Sequence, residues 1–439
     1  MPTITDWTDL TRFPREIRAS VMTVIGRDLD KPILVGSGLF RIADDGSFEF
    51  DMIGMAPDLG HSLSWLAKVR QNQYDPELQC RLMFETEDGL HFNGGWIEPH
   101  VQPIEGEHPV QMSCRGVSDT LLIGGLPGNA SRPSITLRIA IPRSRRSFYA
   151  FHHFAGEPQD LDLLGTTIRF EFDSETSILS VTAATSDSLQ IPYAENWLAE
   201  PFRIMFGELI YPKLVLKDFG NGSATVSLRD YDDGRRLPHW VGLWRRRAYL
   251  ADKDAFWEMY SHLLLRIATS KGPDGEPCFD ANLITRHYEE IIHAASGSRR
   301  VWVLTIASTV EALALELFPR KTKDTTADDR AINELAAHID KWSGDHDLKS
   351  AAIRAVKGKA DVTVAKGLRQ LTRDGRVGTA GVKAWDHVRN RVMHGSLVSI
   401  YSDKEEDDRI LEMIELVHEL TDEILRRTLP TTNLPKTAE

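Results

Sequence analysis

The sequence predicts an α+β protein in two parts, a β-rich domain followed by an all-α helical bundle. Three observations carry that expectation. From about residue 15 to 230, apolar residues alternate with polar ones, and turn signals recur between the runs. After about residue 250, apolar residues recur at spacings of three and four, as on one face of a helix. The chain has 439 residues, enough for two or three domains.

In the first half, "FRIADDGSFEFDM" sets Phe40 and Ile42 before an Asp-Asp-Gly turn, and Phe48, Phe50 and Met52 on alternate positions after it. "RLMFETEDGLHF" repeats the design around Asp88-Gly89. "ITLRIAI" (135–141) and "TIRFEFDSETSILSVT" (167–182) alternate too, and "KLVLKDFGNGSATVSL" carries an Asn221-Gly222 turn. No fixed-period repeat is present, so a sandwich or a distorted barrel is expected rather than a solenoid or propeller. "PRSRRSFYAFHHF" (142–154) reads as a strand, which would send His152 and His153 to opposite faces and argues against a shared metal there.

In the second half, "DKDAFWEMYSHLLLRIATS" reads as a helix begun by Asp252 or Asp254, and "ANLITRHYEEIIHAA" as another. The helix over 299–318 carries Val303, Ile306, Val310, Leu313 and Leu317 on one stripe. Leu304, Leu315 and Phe318 extend its apolar character, as in a central bundle helix, and Glu311 reads either as a buried carboxylate that needs a partner, such as Arg389 or His394, or as a bundle-edge Glu held by a nearby Lys or left in solvent. Helices follow over 330–342, 347–357 and 362–373, then one through "WDHVRNRVMHGSL", then 404–428 with Ile410, Ile414, Val417, Leu420 and Ile424 as its stripe. The expected division is 1–250 as a β-rich sensor or regulatory domain, 251–296 as connecting helices, 297–430 as the helical domain and 431–439 as a loose tail.

Formal net charge is -12 at pH 7, which argues against a broad nucleic-acid coat. The charge is unevenly placed. Lys341 to Arg391 holds twelve Lys and Arg against five Asp and Glu, whereas Asp403 to Glu423 holds two against ten. Positive charge therefore gathers around "WDHVRNRVMHGSL", as a phosphodiester would favour. On the helical wheel Trp385, Val388 and Val392 face the bundle, and Asp386, Asn390 and His394 form a polar strip beside them. "RRLPHWVGLWRRRAYL" (235–250) mixes arginines with Trp240, Trp244 and Tyr249; it reads as a domain junction or as a stacking surface for single-stranded RNA.

Cys80, Cys114 and Cys278 are far apart and fit no metal spacing; a reducing cytoplasm is their expected home. The N-terminal residues lack the apolar core of a signal peptide, and the run 301–318 contains Glu311 and Glu316, so no membrane span is expected. No P-loop, GxGxxG, GxSxG, HExxH or CxxC pattern occurs.

Arg389-Asn390-x-x-x-His394 resembles the RNxxxH form of the Rx4–6H motif in HEPN-superfamily ribonucleases. The resemblance covers roughly 297–429. HEPN bundles behind large sensor-like regions resemble bacterial abortive-infection and antiphage effectors, including the ApeA type. It implies a toxic, metal-independent endoribonuclease with no cofactor, acting as a homodimer or higher homo-oligomer. Its substrate would be RNA, tRNA among the candidates, and its trigger a phage-derived protein. His394 would serve as general acid and base, Arg389 would hold the scissile phosphate, and Asn390 would orient one of them. Glu311 is a candidate orienter behind them, and Lys383 and Arg391 are candidate RNA contacts. The looser spacing also occurs at Arg146 and His152, inside the β-rich half. The alternative is a noncatalytic RNA- or protein-binding assembly protein with a similar bundle.

Overall fold

The computed structural model describes residues 15–27, 31–43, 47–71, 78–104, 111–128, 130, 132–229, 241–244, 252–272, 275–277, 282–318, 327–357, 364–393 and 403–428. These form two compact units. The first draws on Met1–Pro201, Leu209–Gly234 and Ile267–Ala281, and the second on Phe202–Glu208, Arg235–Arg266 and Asn282–Glu439. The helices expected as connectors over 251–296 therefore belong largely to the helical unit, and its first contribution comes as early as residue 202.

The first unit begins with strands β1 (Arg15–Gly26), β2 (Pro32–Ile42) and β3 (Phe48–Met55), helix α1 (Leu59–Gln71), then β4 (Cys80–Glu85), β5 (His91–Pro103) and β6 (Gln111–Ser118). The six strands pair antiparallel in the order β4-β1-β2-β3-β6-β5, and β4 pairs with β5 to close a barrel. The Asp88-Gly89 turn connects β4 and β5, and β2 pairs with β3, the strand that follows it in the chain; the Asp-Asp-Gly run between these two lies outside the described residues. Closure demands tight coiling, and glycine permits it where β2 and β3 meet. A Cβ at Gly36 would collide with the carbonyl oxygen of Ile53, and one at Gly54 would lie 2.5 Å from that of Val35. The interior is aromatic: Phe84 stacks between Phe40 and Phe92, with ring centroids 5.0 and 4.6 Å apart. Cys80 and Cys114 also lie inside, and burial pushes both thiols up to about 12.

The sheet continues through β7 (Thr120–Pro127), β8 (Ser134–Ala140), helix α2 (Arg146–Phe154), β9 (Gln159–Leu163), β10 (Thr166–Asp173), β11 (Ile178–Ala184), helix α3 (Ile191–Phe206), β12 (Leu214–Asp218) and β13 (Ser223–Arg229). From β5 the strand order runs β7-β13-β12-β8-β11-β10-β9. Strict alternation in β10 buries Thr166, Ile168, Phe170 and Phe172 and exposes the residues between them. Phe151 of α2 packs against Phe172, with ring centroids 5.9 Å apart. Glu195 of α3 binds Lys217 at 2.8 Å and Arg229 at 2.6 Å, which fastens α3 to β12 and β13.

The strand expected over 142–154 is instead a short turn followed by helix α2 over 146–154. Ser147, Ala150, Phe151 and Phe154 are buried at helical spacing, while His152 and His153 are exposed. The alternate match Arg146…His152 therefore also lies on a helix, so helical context alone does not single out the site at Arg389.

The second unit contains α4 (Lys253–Thr269), α5 (Leu283–Ala295), α6 (Arg299–Leu317), α7 (Ala327–Asp340), α8 (His346–Lys357), α9 (Val364–Arg373), α10 (Thr379–Met393) and α11 (Lys404–Thr428). Asp252 starts α4 by accepting from the backbone N–H groups of Asp254 and Ala255. The expected stripes on α6 and α11 are buried throughout. Helix α6 packs on α5, α9, α10 and α11. Its other side is open: Val301 is 52% and Leu304 40% exposed, so α6 is a face of the bundle, not its enclosed axis. Trp244 is buried, and the 243–244 backbone donates to the carbonyls of Ile204 and Met205. The arginines, Trp240 and Tyr249 of the 235–250 segment lie outside the described residues, as does 431–439.

Candidate functional site

The candidate residues are positioned by α10. Gly375, with φ +66°, ends the turn after α9, and the backbone N–H of Gly378 donates to Glu419 at 2.8 Å. At Gly381 a Cβ would come 2.8 Å from the Glu412 carbonyl oxygen, so α10 runs close against α11. Trp385 anchors the other side. It is fully buried, and its indole N–H donates to the Ala307 carbonyl of α6 at 3.2 Å. Val388 is buried beside it. These contacts fix which residues of α10 face outward.

Arg389 lies at the edge of the packed face. Its guanidinium sits 5.4 Å from the Trp385 ring centroid, and its Nε pairs with Glu311 at 2.9 Å. The side chains are 45% and 40% exposed, so Glu311 is a bundle-edge carboxylate with Arg389 as its partner. It sits at the open side of α6, where solvent reaches it. Asn390 and Lys383 are exposed. Arg391 turns the other way, to Glu406 at 3.0 Å on α11. His394 lies outside the described residues, so its geometry relative to Arg389 and Asn390 is not part of the site described here.

The acidic start of α11 meets the basic end of α10. Besides Glu406 on Arg391, Asp407 pairs with Arg299 and Glu405 with Arg409. Of the positive surplus seen between Lys341 and Arg391, Arg369, Arg389 and Arg391 are each paired with a carboxylate of the unit. The sequence reading missed His387, an exposed histidine at this junction. Partial burial, then the charges of Arg409 and Arg391, lower its pKa below the usual imidazole value. Its spacing from Lys383 and Arg391, four residues each way, was the available signal. The hollow there, between His387, Arg391, Glu406 and Arg409, has a volume of about 10 Å³. That is room for one water at most, so the described residues near the motif form an open surface rather than a formed pocket.

Among the described residues, no helix is long and apolar enough to cross a membrane. No family model matches the chain, and neither a curated protein nor a solved structure is significantly similar to it.

Proposed function

We propose that the helical unit is a metal-independent endoribonuclease acting as a toxic effector in antiphage defence. The observation that supports this most is the presentation of Arg389. A buried tryptophan lies beneath it, a carboxylate steers it, and nearly half of its side chain remains open to solvent. Asn390 is exposed next to it, and His394 follows four residues later. A guanidinium so placed can take a phosphodiester oxygen through paired N–H donors. In this reading His394 removes the ribose 2′-hydroxyl proton and protonates the departing 5′-oxygen. Arg389 stabilises charge on the phosphoryl oxygens as the 2′-oxygen bonds to phosphorus. The products are a 2′,3′-cyclic phosphate and a 5′-hydroxyl, and DNA is spared for want of the 2′-hydroxyl. In this reading two copies of the chain complete one cleft.

The test is incubation of total RNA and tRNA with the purified chain in EDTA, beside Arg389→Ala and His394→Ala. Cleavage by the parent protein alone, leaving cyclic-phosphate ends, is expected. Equal cleavage by both folded variants would remove the site from consideration.

One observation favours a second reading, a noncatalytic RNA- or protein-binding bundle. Arg389 and Arg391 are each engaged by a carboxylate of the same unit. In that case RNA stays intact, and the two variants change binding or assembly instead.

A further inference from the structure

The β-rich unit carries a cleft of about 770 Å³ where β4 and β5 diverge, roofed by α1. We propose that this cleft is a docking site for an extended peptide segment bearing lysine or arginine among apolar residues. This stands apart from the nuclease reading of the helical unit.

Four observations converge on it. First, the volume lies in the range of formed binding clefts, and its walls include Trp65, Trp96, Val69 and Leu78. Second, Trp65 is only 7% exposed, yet its indole N–H has no hydrogen-bond partner among the described residues. A buried donor left open costs free energy until an acceptor arrives, and a peptide carbonyl is such an acceptor.

Third, the charge of the cleft is acidic. Glu98 and Asp119 are both exposed on its wall, and neither is ion-paired with a cation among the described residues. Trp96 already holds a cation, the Arg81 guanidinium 4.2 Å from its ring centroid, which shows that its π-face suits one. Two open carboxylates beside tryptophans disfavour a phosphate-bearing ligand and favour a basic one.

Fourth, the backbone of β5 is available. Past Ile97 it leaves β4, and residues 98–103 pair only with β6 among the described residues. Pro99 and Pro103 occupy alternate positions of this stretch. A proline within a ladder turns its nitrogen away from the paired strand. The open edge therefore lacks two donors and keeps its carbonyls. A ligand that satisfies such an edge must bring N–H groups in a row, as an extended peptide does.

The experiment pans a random linear peptide library against the immobilised full-length chain, with affinities of recovered sequences measured by tryptophan fluorescence. Recovered peptides should carry net positive charge with interspersed apolar residues. Their affinity should fall about tenfold or more in Trp96→Ala. It should fall severalfold in Glu98→Gln/Asp119→Asn and in Trp65→Phe, which keeps the ring and removes the donor. Circular dichroism of each variant verifies the barrel. Three results would overturn the proposal: no enrichment over an unrelated protein, recovery of neutral or acidic sequences, or basic peptides whose binding survives all three folded variants.

Discussion

Replacing Trp385 with alanine tests whether α10 is seated as described. The side chain is fully buried, and its N–H is committed to the Ala307 carbonyl of α6. Truncating a buried tryptophan typically costs about 3–5 kcal/mol, since packing is lost and the space refills only in part. A domain holds roughly 5–15 kcal/mol in total, so about a fifth or more of the helical unit's stability is at stake. Trp385→Phe is the graded control. It keeps an aromatic ring for Arg389 to lie against and loses one hydrogen bond and part of the ring volume, about 1–2 kcal/mol together. Urea unfolding of the full chain, followed by far-UV circular dichroism, reads both values from the helical transition. If the alanine variant shifts that transition by less than about 1 kcal/mol, α10 is not held on α6 through this residue. The platform assigned to Arg389 would then fall with it.

Other consequences can be checked directly. Glu311→Ala removes a half-exposed ion pair, so stability should change by under about 1 kcal/mol; a larger loss in thermal unfolding would mean that Glu311 supports the fold. If the nuclease reading holds, the same variant should alter RNA cleavage while remaining folded. Gly36→Ala forces a methyl group against the β3 backbone, so soluble yield and the barrel's unfolding midpoint should both fall sharply. Cys80 and Cys114 are buried with raised pKa, so a thiol reagent at mildly alkaline pH should modify at most one of the three cysteines quickly, and all three in denaturant. Burial lowers the pKa of His262 and His287 below 6.5. The unfolded chain therefore binds protons first on acidification. Their contribution to stability is complete above the ordinary imidazole value and is lost as pH falls below it, through the lowered folded-state values. Urea midpoints across that fall in pH should show a shallower decline in His287→Asn; an unchanged slope would assign the effect to other groups.

Much of the fold was legible because single residues announce it. Phe48, Phe50 and Met52 alternate, and all three are buried in β3. The stripe from Ile410 to Ile424 marks one face of α11, and all five of its residues are buried. Helix α2 was misread although Ala150, Phe151 and Phe154 follow a helical period, because its aromatic content resembles a strand. Helix α3 was not read from the sequence. Its last turns are buried nearly all round and it contains Pro201, a helix breaker that masks the helical period in its first half. At the candidate site, the wheel assigned Trp385 to the bundle and Arg389 to its edge. It could not show that Glu311 lies on an open side of α6, since that depends on which neighbours α6 lacks. Nor could it show the pairing of Glu406 with Arg391 and of Asp407 with Arg299, which only the meeting of α10, α11 and α6 decides; Glu405 with Arg409, four residues apart on α11, was the one pair open to it.

Strand β5 belongs to three ladders at once: residues 91–97 with β4, 91–93 with β7 and 97–103 with β6. Among the described residues it is the strand whose ladders join the closed barrel to the open sheet. Strain imposed at its far end thus has no slack joint in which to dissipate. Fraying β5 from β4 opens the barrel, and the same three residues hold the outer strands. Barrel and outer sheet accordingly share a seam, so the loosening of one is felt as the loosening of the other.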